Sequence, residues 1–154
     1  VSRTIRLDTE KETMALARAI LKNLHLGDVI LLEGPVGVGK SALARAIIQS
    51  QMAIDGHVED VPSPTFTLIQ TYETSRGPIC HADLYRLSDP SELEELGVPD
   101  LFDTSIALIE WPDRLGRLRP DRHLKIALSF PDSSDSRDAT LLPFGGDWGW
   151  IEHV

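Results

Sequence analysis

The apolar run Val29-Ile30-Leu31-Leu32 leads, after Glu33, into Gly34-Pro35-Val36-Gly37-Val38-Gly39-Lys40-Ser41, and from Ser41 to about Ala53 there is no Pro or Gly. The short β-branched run reads as a strand covered on both faces, and the stretch rich in Ala, Leu, Arg and Ile reads as a helix closed by the Asp55-Gly56 turn. Between them, glycines let successive backbone N–H groups converge on an anion, and the helix N-terminus adds its partial positive charge. The eight residues therefore read as a phosphate-binding loop. Strand, loop and helix in this order predict an α/β fold of the P-loop NTPase kind, three layers deep, with a central mixed sheet flanked by helices. Gly34, Pro35, Val36, Gly37, Val38, Gly39, Lys40, Ser41 and the following Ala42 are the candidate nucleotide contacts. Lys40 is expected to reach the β- and γ-phosphates, and the Ser41 hydroxyl to ligate Mg²⁺.

Phosphoryl transfer to water also needs a carboxylate at the metal and a group that positions the water. Two apolar runs end in an acid: Ser105-Ile106-Ala107-Leu108-Ile109-Glu110, stopped by Trp111-Pro112, and Ile79-Cys80-His81-Ala82-Asp83. Glu110 and Asp83 are thus candidate catalytic and metal-associated acids, although strand-end acids are often only surface groups. Thr65 sits in Val61-Pro62-Ser63-Pro64-Thr65, a stiff polar loop after the phosphate-loop helix, where a segment sensing the γ-phosphate would lie, although a Ser-Pro-Thr turn is more often only structural. His81 shares a strand face with Asp83 and is read as a satisfied structural histidine. Arg114, Arg117, Arg119 and Arg122 with Lys125 form one basic cluster: a partner patch, a phosphate lid or, the reading favoured here, a solvated turn. The Asn-Lys-x-Asp guanine reader is absent from the sequence, which favours ATP over GTP.

With 154 residues and 42% apolar content, the chain has the material for a single domain over residues 1–154. Its formal charge of -9 works against broad, unaided binding to a nucleic-acid backbone, so any contact with RNA is expected to be local or indirect. Cys80 is the only cysteine, which excludes an internal disulfide and suits a reducing compartment. Val1 to Glu12 is polar and charged, and no stretch approaches the roughly 18 apolar residues of a membrane span, so a cytoplasmic chain is expected. Elsewhere, Thr9 and Glu12 form a capping box for a first helix whose apolar positions Met14, Ala17, Leu21 and Leu24 end near Gly27. Thr67 to Tyr72 and Ile79 to Leu84 predict an antiparallel hairpin with a longer loop over Thr74 to Pro78. Ser88 is expected to open a helix carrying Glu92, Glu94 and Glu95 near its start, inside a region, His81 to Asp103, with seven acids against Arg86 alone. That region reads as a solvated face. Leu124 to Phe130 and Ala139 to Pro143 predict a terminal strand pair, and the Gly145-Gly146-Asp147-Trp148-Gly149-Trp150 tail has no reading.

Taken together, the phosphate loop, Ser63-Pro64-Thr65-Phe66, His81-Ala82-Asp83-Leu84-Tyr85-Arg86-Leu87 and Ile109-Glu110-Trp111-Pro112-Asp113-Arg114-Leu115 resemble, in order and over essentially the whole chain, the TsaE (YjeE) family of bacterial threonylcarbamoyladenosine-tRNA biosynthesis ATPases. The resemblance implies a cytoplasmic, Mg²⁺-dependent ATPase that associates with the TsaB–TsaD pair and resets it. It also implies that Ser41 and Asp83 are Mg²⁺-associated, that Glu110 is the acid at the catalytic strand end, that Thr65 belongs to a nucleotide-responsive loop, and that Trp111 lies close to the site. Ser41 stands where Thr is commoner, which keeps the hydroxyl. Asp113 stands where Glu is commoner after Trp-Pro, which bears on a partner contact rather than on the metal. The residues alone leave two other classes open: a small-molecule kinase with an arginine-bearing lid, and a nucleotide sensor that does not hydrolyse. The isolated chain is expected to be a monomer.

Overall fold

A computed structural model describes residues 1–132 and 135–154. The elements run β1 (Arg3–Leu7), α1 (Glu10–Leu21), β2 (Val29–Glu33), α2 (Lys40–Ile54), β3 (Ile69–Thr74), β4 (Gly77–Asp83), α3 (Ser91–Glu95), α4 (Val98–Thr104), β5 (Ile106–Glu110), β6 (His123–Ser129) and β7 (Arg137–Phe144), with 3₁₀ segments at Pro112–Leu118 and Gly149–His153. Among the described residues, seven strands make one mixed sheet in the order β1-β7-β6-β2-β5-β4-β3. The inner strands β6, β2, β5 and β4 pair in parallel, and antiparallel pairs flank them on both sides.

The parallel centre follows from composition. Val29 to Leu32 and all of β5 are buried, as strands covered on both faces must be. Side chains alternate between two cores. On one face Ile30, Leu32, Ile79, Ile106 and Leu108 pack with Leu16, Ile20, Leu43 and Ile47 of α1 and α2. On the other, Val29, Leu31, Ala82, Ala107 and Ile109 pack with Leu93, Val98, Phe102 and Leu115. The layers are therefore helix, sheet, helix, as the phosphate-loop pattern predicted. A fully buried residue such as Ile47 contributes roughly 1.5–3 kcal/mol.

Several local expectations need correction. Arg3–Leu7, read as polar N-terminus, is an edge strand paired with β7, with only Leu7 buried. The Thr9 side chain does cap α1, accepting from Glu12 N at 3.2 Å, but the helix ends at Leu21 and Leu24 is buried from the following turn. The β3–β4 hairpin has a two-residue turn, not the longer loop expected, because Thr74 pairs with Gly77 and its hydroxyl donates to Gly77 O and accepts from Arg76 N. The helix expected from Ser88 begins at Ser91 and is interrupted at Leu96-Gly97, giving the short α3 and α4. Its acids Glu94, Glu95, Asp100 and Asp103 are exposed, as a solvated face requires. The Gly/Trp tail folds back: Trp148 is 3% exposed, joins the α1/α2 core and donates through Nε1 to Phe144 O. No helix among the described residues is long and apolar enough to cross a membrane.

Candidate nucleotide site

The carboxyl ends of parallel strands are where ligands bind in α/β sheets, because the loops there diverge to opposite faces. The register places three such ends side by side: Leu32 pairs with Glu110, and Asp83 pairs with Glu110. Since Asp83 and Glu110 close strands whose preceding same-face residues lie under α2, both acids reach toward the N-terminus of that helix. A cleft of about 450 Å³ opens there, lined by Val36, Gly37, Gly39, Lys40, Ser41 and Ala42, by Ser63 and Thr65, and by Asp83, Tyr85, Glu110 and Trp111. That volume lies in the roughly 300–1,000 Å³ range of small-ligand sites.

Within the loop the residues divide by task. Gly39 takes a left-handed conformation at φ 111 as the N-cap of α2 and offers no side-chain cap, so the first-turn N–H groups are left for an anion. Gly34 and Val38 do not line the cleft. Gly34 lies so close to β6 that a Cβ would fall 2.5 Å from Leu128 O, and Val38 is 2% exposed within the core. Pro35 contributes its carbonyl, which accepts from Lys40 Nζ at 3.1 Å. Lys40 Nζ also donates to Gly34 O at 2.5 Å and sits 4.1 Å from the centre of the Trp111 ring. Burial holds the Lys40 ammonium below its ordinary value of 10.5, with Glu110 and Asp83 pulling it partly back. The cation is thus buried, held by neutral carbonyls and flanked by two acids, an arrangement that phosphate oxygens can take over.

Ser41 Oγ donates to Glu110, 2.9 Å from Oε1 and 3.0 Å from Oε2. Glu110 is 2% exposed and Asp83 7%. A hydroxyl and two carboxylates of this kind suit Mg²⁺, which takes one or two carboxylates and completes its shell with phosphate oxygens and water. Among the described residues no three His, Cys, Asp or Glu side chains converge as a closed metal cage. Asp83 Oδ1 accepts from Tyr85 N at 3.0 Å, which fixes its carboxylate. Trp111 has a positive φ of 56 directly after Glu110, a conformation a bulky residue seldom adopts, and its ring packs tilted against Tyr85, the ring centres 4.9 Å apart. It closes one wall of the cleft over Lys40.

Thr65 lies across the cleft, its hydroxyl 3.1 Å from that of Ser63. The loop is tied to the acid strand, since Leu68 O accepts from Asp83 N at 2.8 Å, and Leu68 N donates to Pro64 O. Phe66, on the same loop, is 84% exposed. Every candidate catalytic and metal residue therefore meets at one place; of the candidate nucleotide contacts, Gly34, Pro35 and Val38 stand behind it.

His81 departs from its reading as a satisfied structural residue: Nε2 lies 2.7 Å from Glu110 Oε2, and Nδ1 has no partner. Tyr85, two residues after Asp83, also lines the cleft, a place that the pattern of strand-end acids does not mark. The basic cluster lines no part of the cleft. Arg114 donates to Leu87 O, Arg117 to Glu94, and Arg122 to Asp28, while Lys125 pairs with Glu33. Cys80 is buried in β4, and burial pushes its thiol up to about 11, which leaves it protonated and unreactive at neutral pH.

Comparison with known proteins gives this geometry a family. The crystal structure of Bacillus subtilus YdiB superposes with a TM-score of 0.77, covering 99% of this chain and 93% of that one at 24% identity, which establishes the shared fold. A tRNA threonylcarbamoyladenosine biosynthesis protein TsaE from Rickettsia felis is 37% identical over 146 residues, 90% of this chain and 84% of the relative. A protein of the same description from Haemophilus influenzae is 39% identical over 126 residues, 80% of this chain and 76% of the relative. The family profile for threonylcarbamoyl adenosine biosynthesis protein TsaE matches residues 7–139, from the end of β1 into β7 and across every residue of the cleft, so the chain belongs to the TsaE family.

Proposed function

We propose that this chain is a Mg²⁺-dependent ATPase, working as one domain, that associates with the TsaB–TsaD pair and drives or resets its cycle in threonylcarbamoyladenosine modification of tRNA. The observation that carries the chemistry is the Ser41 hydroxyl held between both oxygens of Glu110, at the mouth of a phosphate loop and beside Asp83. The pathway is carried by the family and by relatives of that description.

In this reading Ser41, Asp83 and Glu110 hold Mg²⁺, and the N–H groups at the start of α2 hold the phosphates. The ion, when bound, supplies positive charge against the charge that develops on the transferred phosphoryl group. Lys40 exchanges the Gly34 and Pro35 carbonyls for phosphate oxygens. Glu110 orients the attacking water, and Trp111 keeps bulk water away from the ammonium. Thr65 moves with the Ser63–Thr67 loop, whose backbone link to Asp83 couples nucleotide state to an exposed Phe66 that a partner can read. The base is adenine. The protein is a cytoplasmic monomer in isolation, and its charge of -9 leaves tRNA contact to its partners. The kinase reading loses its lid, because Arg114, Arg117 and Arg122 are engaged away from the cleft.

The test is phosphate release from ATP by the chain alone and with TsaB–TsaD, together with the threonylcarbamoyl content of tRNA in a depleted strain. Weak turnover alone, stimulation by the pair, and loss of about a hundredfold or more in Glu110→Gln are expected. Full activity that ignores TsaB–TsaD, or a phosphorylated metabolite in place of free phosphate, would refute the proposal.

A further inference from the structure

His81 lies behind Glu110 rather than in the cleft. The parallel pairing of β4 and β5 sets Asp83 opposite Glu110 and His81 opposite Leu108, so His81, Asp83 and Glu110 project from the same face of the sheet, the one α2 covers. His81 is 1% exposed, and its Nε2 is 2.7 Å from Oε2 of Glu110. A carboxylate only accepts, so the proton on this bond is on Nε2; Nδ1 is then a buried ring nitrogen with no partner. Packing does not account for a histidine here, since an aliphatic side chain would fill the space without burying an unpartnered polar atom. What the imidazole provides is a donor to one particular carboxylate oxygen.

We infer that His81 is a positioning residue for Glu110. The Ser41 hydroxyl has one proton, shared between Oε1 and Oε2, and that alone would let the carboxylate turn. The His81 bond pins Oε2 from the sheet side and leaves Oε1 as the oxygen that changes partners when a nucleotide and cation enter. Asp83, on the same strand, is anchored differently, through the backbone N–H of Tyr85. The two acids therefore have separate supports, and loss of His81 unfixes only one. Outer supports of this kind are worth about 10- to 100-fold in metal affinity or activity. This inference rests on the Mg²⁺-ATPase reading above.

The test compares His81→Gln with His81→Asn in the 154-residue chain. Both are polar and no larger than histidine, but only the Gln amide nitrogen reaches to about where Nε2 stands. Binding of a fluorescent ADP analogue is measured with and without Mg²⁺, alongside the melting temperature and the kcat and KM of hydrolysis. Expected for His81→Asn are unchanged metal-free affinity, a Mg²⁺-dependent gain in affinity reduced by about tenfold and seen also as a similar rise in KM, since slow turnover makes KM follow affinity, and a fall in kcat. His81→Gln should recover most of both. Equal defects in the two variants, or Mg²⁺ dependence matching the wild type in both, would overturn the assignment. If His81→Asn does not fold, His81→Gln decides: retained Mg²⁺ dependence supports the role and its loss overturns it. A wild-type chain with no Mg²⁺-dependent nucleotide binding would overturn the ATPase reading and this inference together, whereas a wild type that binds normally beside unaffected variants overturns only the role of His81.

Discussion

Replacing Gly34 by alanine would put a methyl carbon 2.5 Å from the Leu128 carbonyl oxygen and 2.8 Å from Cγ1 of Val38, at a φ of 149 that side chains rarely adopt. Neither neighbour can yield cheaply. Leu128 O is backbone in β6, which pairs with β2 and β7 on its two sides, and the Val38 side chain is 2% exposed in the α1/α2 core. The unfavourable backbone conformation costs about 1–2 kcal/mol and the overpacking about 1–3 kcal/mol. Together these remove about 2–5 kcal/mol, a large share of the 5–15 kcal/mol typical of a domain. For a chain of this size the melting temperature should fall by about 5–15 °C. Gly37 and Gly39 make the contrast. Both line the cleft, and a Cβ at either meets nothing within 4 Å, so Gly37→Ala and Gly39→Ala, at φ of 81 and 111, should carry only the backbone cost of about 1–2 kcal/mol and lose nucleotide affinity beyond it. Calorimetric melts paired with nucleotide titrations separate the two behaviours. A Gly34→Ala protein that melts with the wild type, or one that keeps its stability and loses only nucleotide binding, would show that the loop is not braced against β6 as argued.

Two further perturbations probe the frame around the site. Arg122 donates to the buried Asp28 at 2.8 Å and to Gly146 O, and its guanidinium lies 4.1 Å from the Trp148 ring centre, so Arg122→Ala should cost about 1.5–3 kcal/mol in urea unfolding. Arg117→Ala, which breaks an exposed pair with Glu94, should cost under about 1 kcal/mol, and equal losses would contradict the distinction drawn from burial. The His123 imidazole stacks on Phe144, donates from Nδ1 to Pro120 O and leaves Nε2 unpartnered, and burial holds it below its ordinary 6.5. The unfolded chain then takes up this proton first as the pH falls, so the stability His123 contributes is complete above pH 6.5 and declines below it toward the folded-state value. An NMR titration of His123 with a midpoint at or above 6.5 would refute this.

The parts of the fold legible in the sequence are those whose signal is local. A phosphate loop needs its glycines, its lysine and its hydroxyl at fixed spacing, and these eight residues with their flanking strand and helix are found where the pattern puts them. Strands buried on both faces read as continuous apolar runs, so β2 and β5 were visible, and so were the acids that end β5 and β4. β1 was not, because an edge strand keeps one face in water and needs only a buried Leu7 and a half-buried Ile5 among charged neighbours. The tail gave no pattern either, since Trp148 is fixed by Arg122 and the core rather than by its own neighbours. The break at Gly97 and the tight β3–β4 turn are set by single residues, the left-handed Gly97 and the Thr74 hydroxyl, which hydropathy patterning does not weigh.

At the site, the sequence by itself determined which groups were available: a cradle of backbone N–H groups, one ammonium, one hydroxyl and two strand-end acids. Only the tertiary structure decided their relations, because those arise from strands far apart in the chain lying in one register. That register sets Asp83 beside Glu110, brings Ser41 onto both oxygens of Glu110 across 69 positions of sequence, and places His81 behind the same carboxylate. It also moves Gly34 and Val38 from contact to support, since a residue's spacing within a motif does not reveal whether ligand or neighbouring strand lies against it. Local spacing carries the chemistry of the parts; long-range pairing selects which of them face one another.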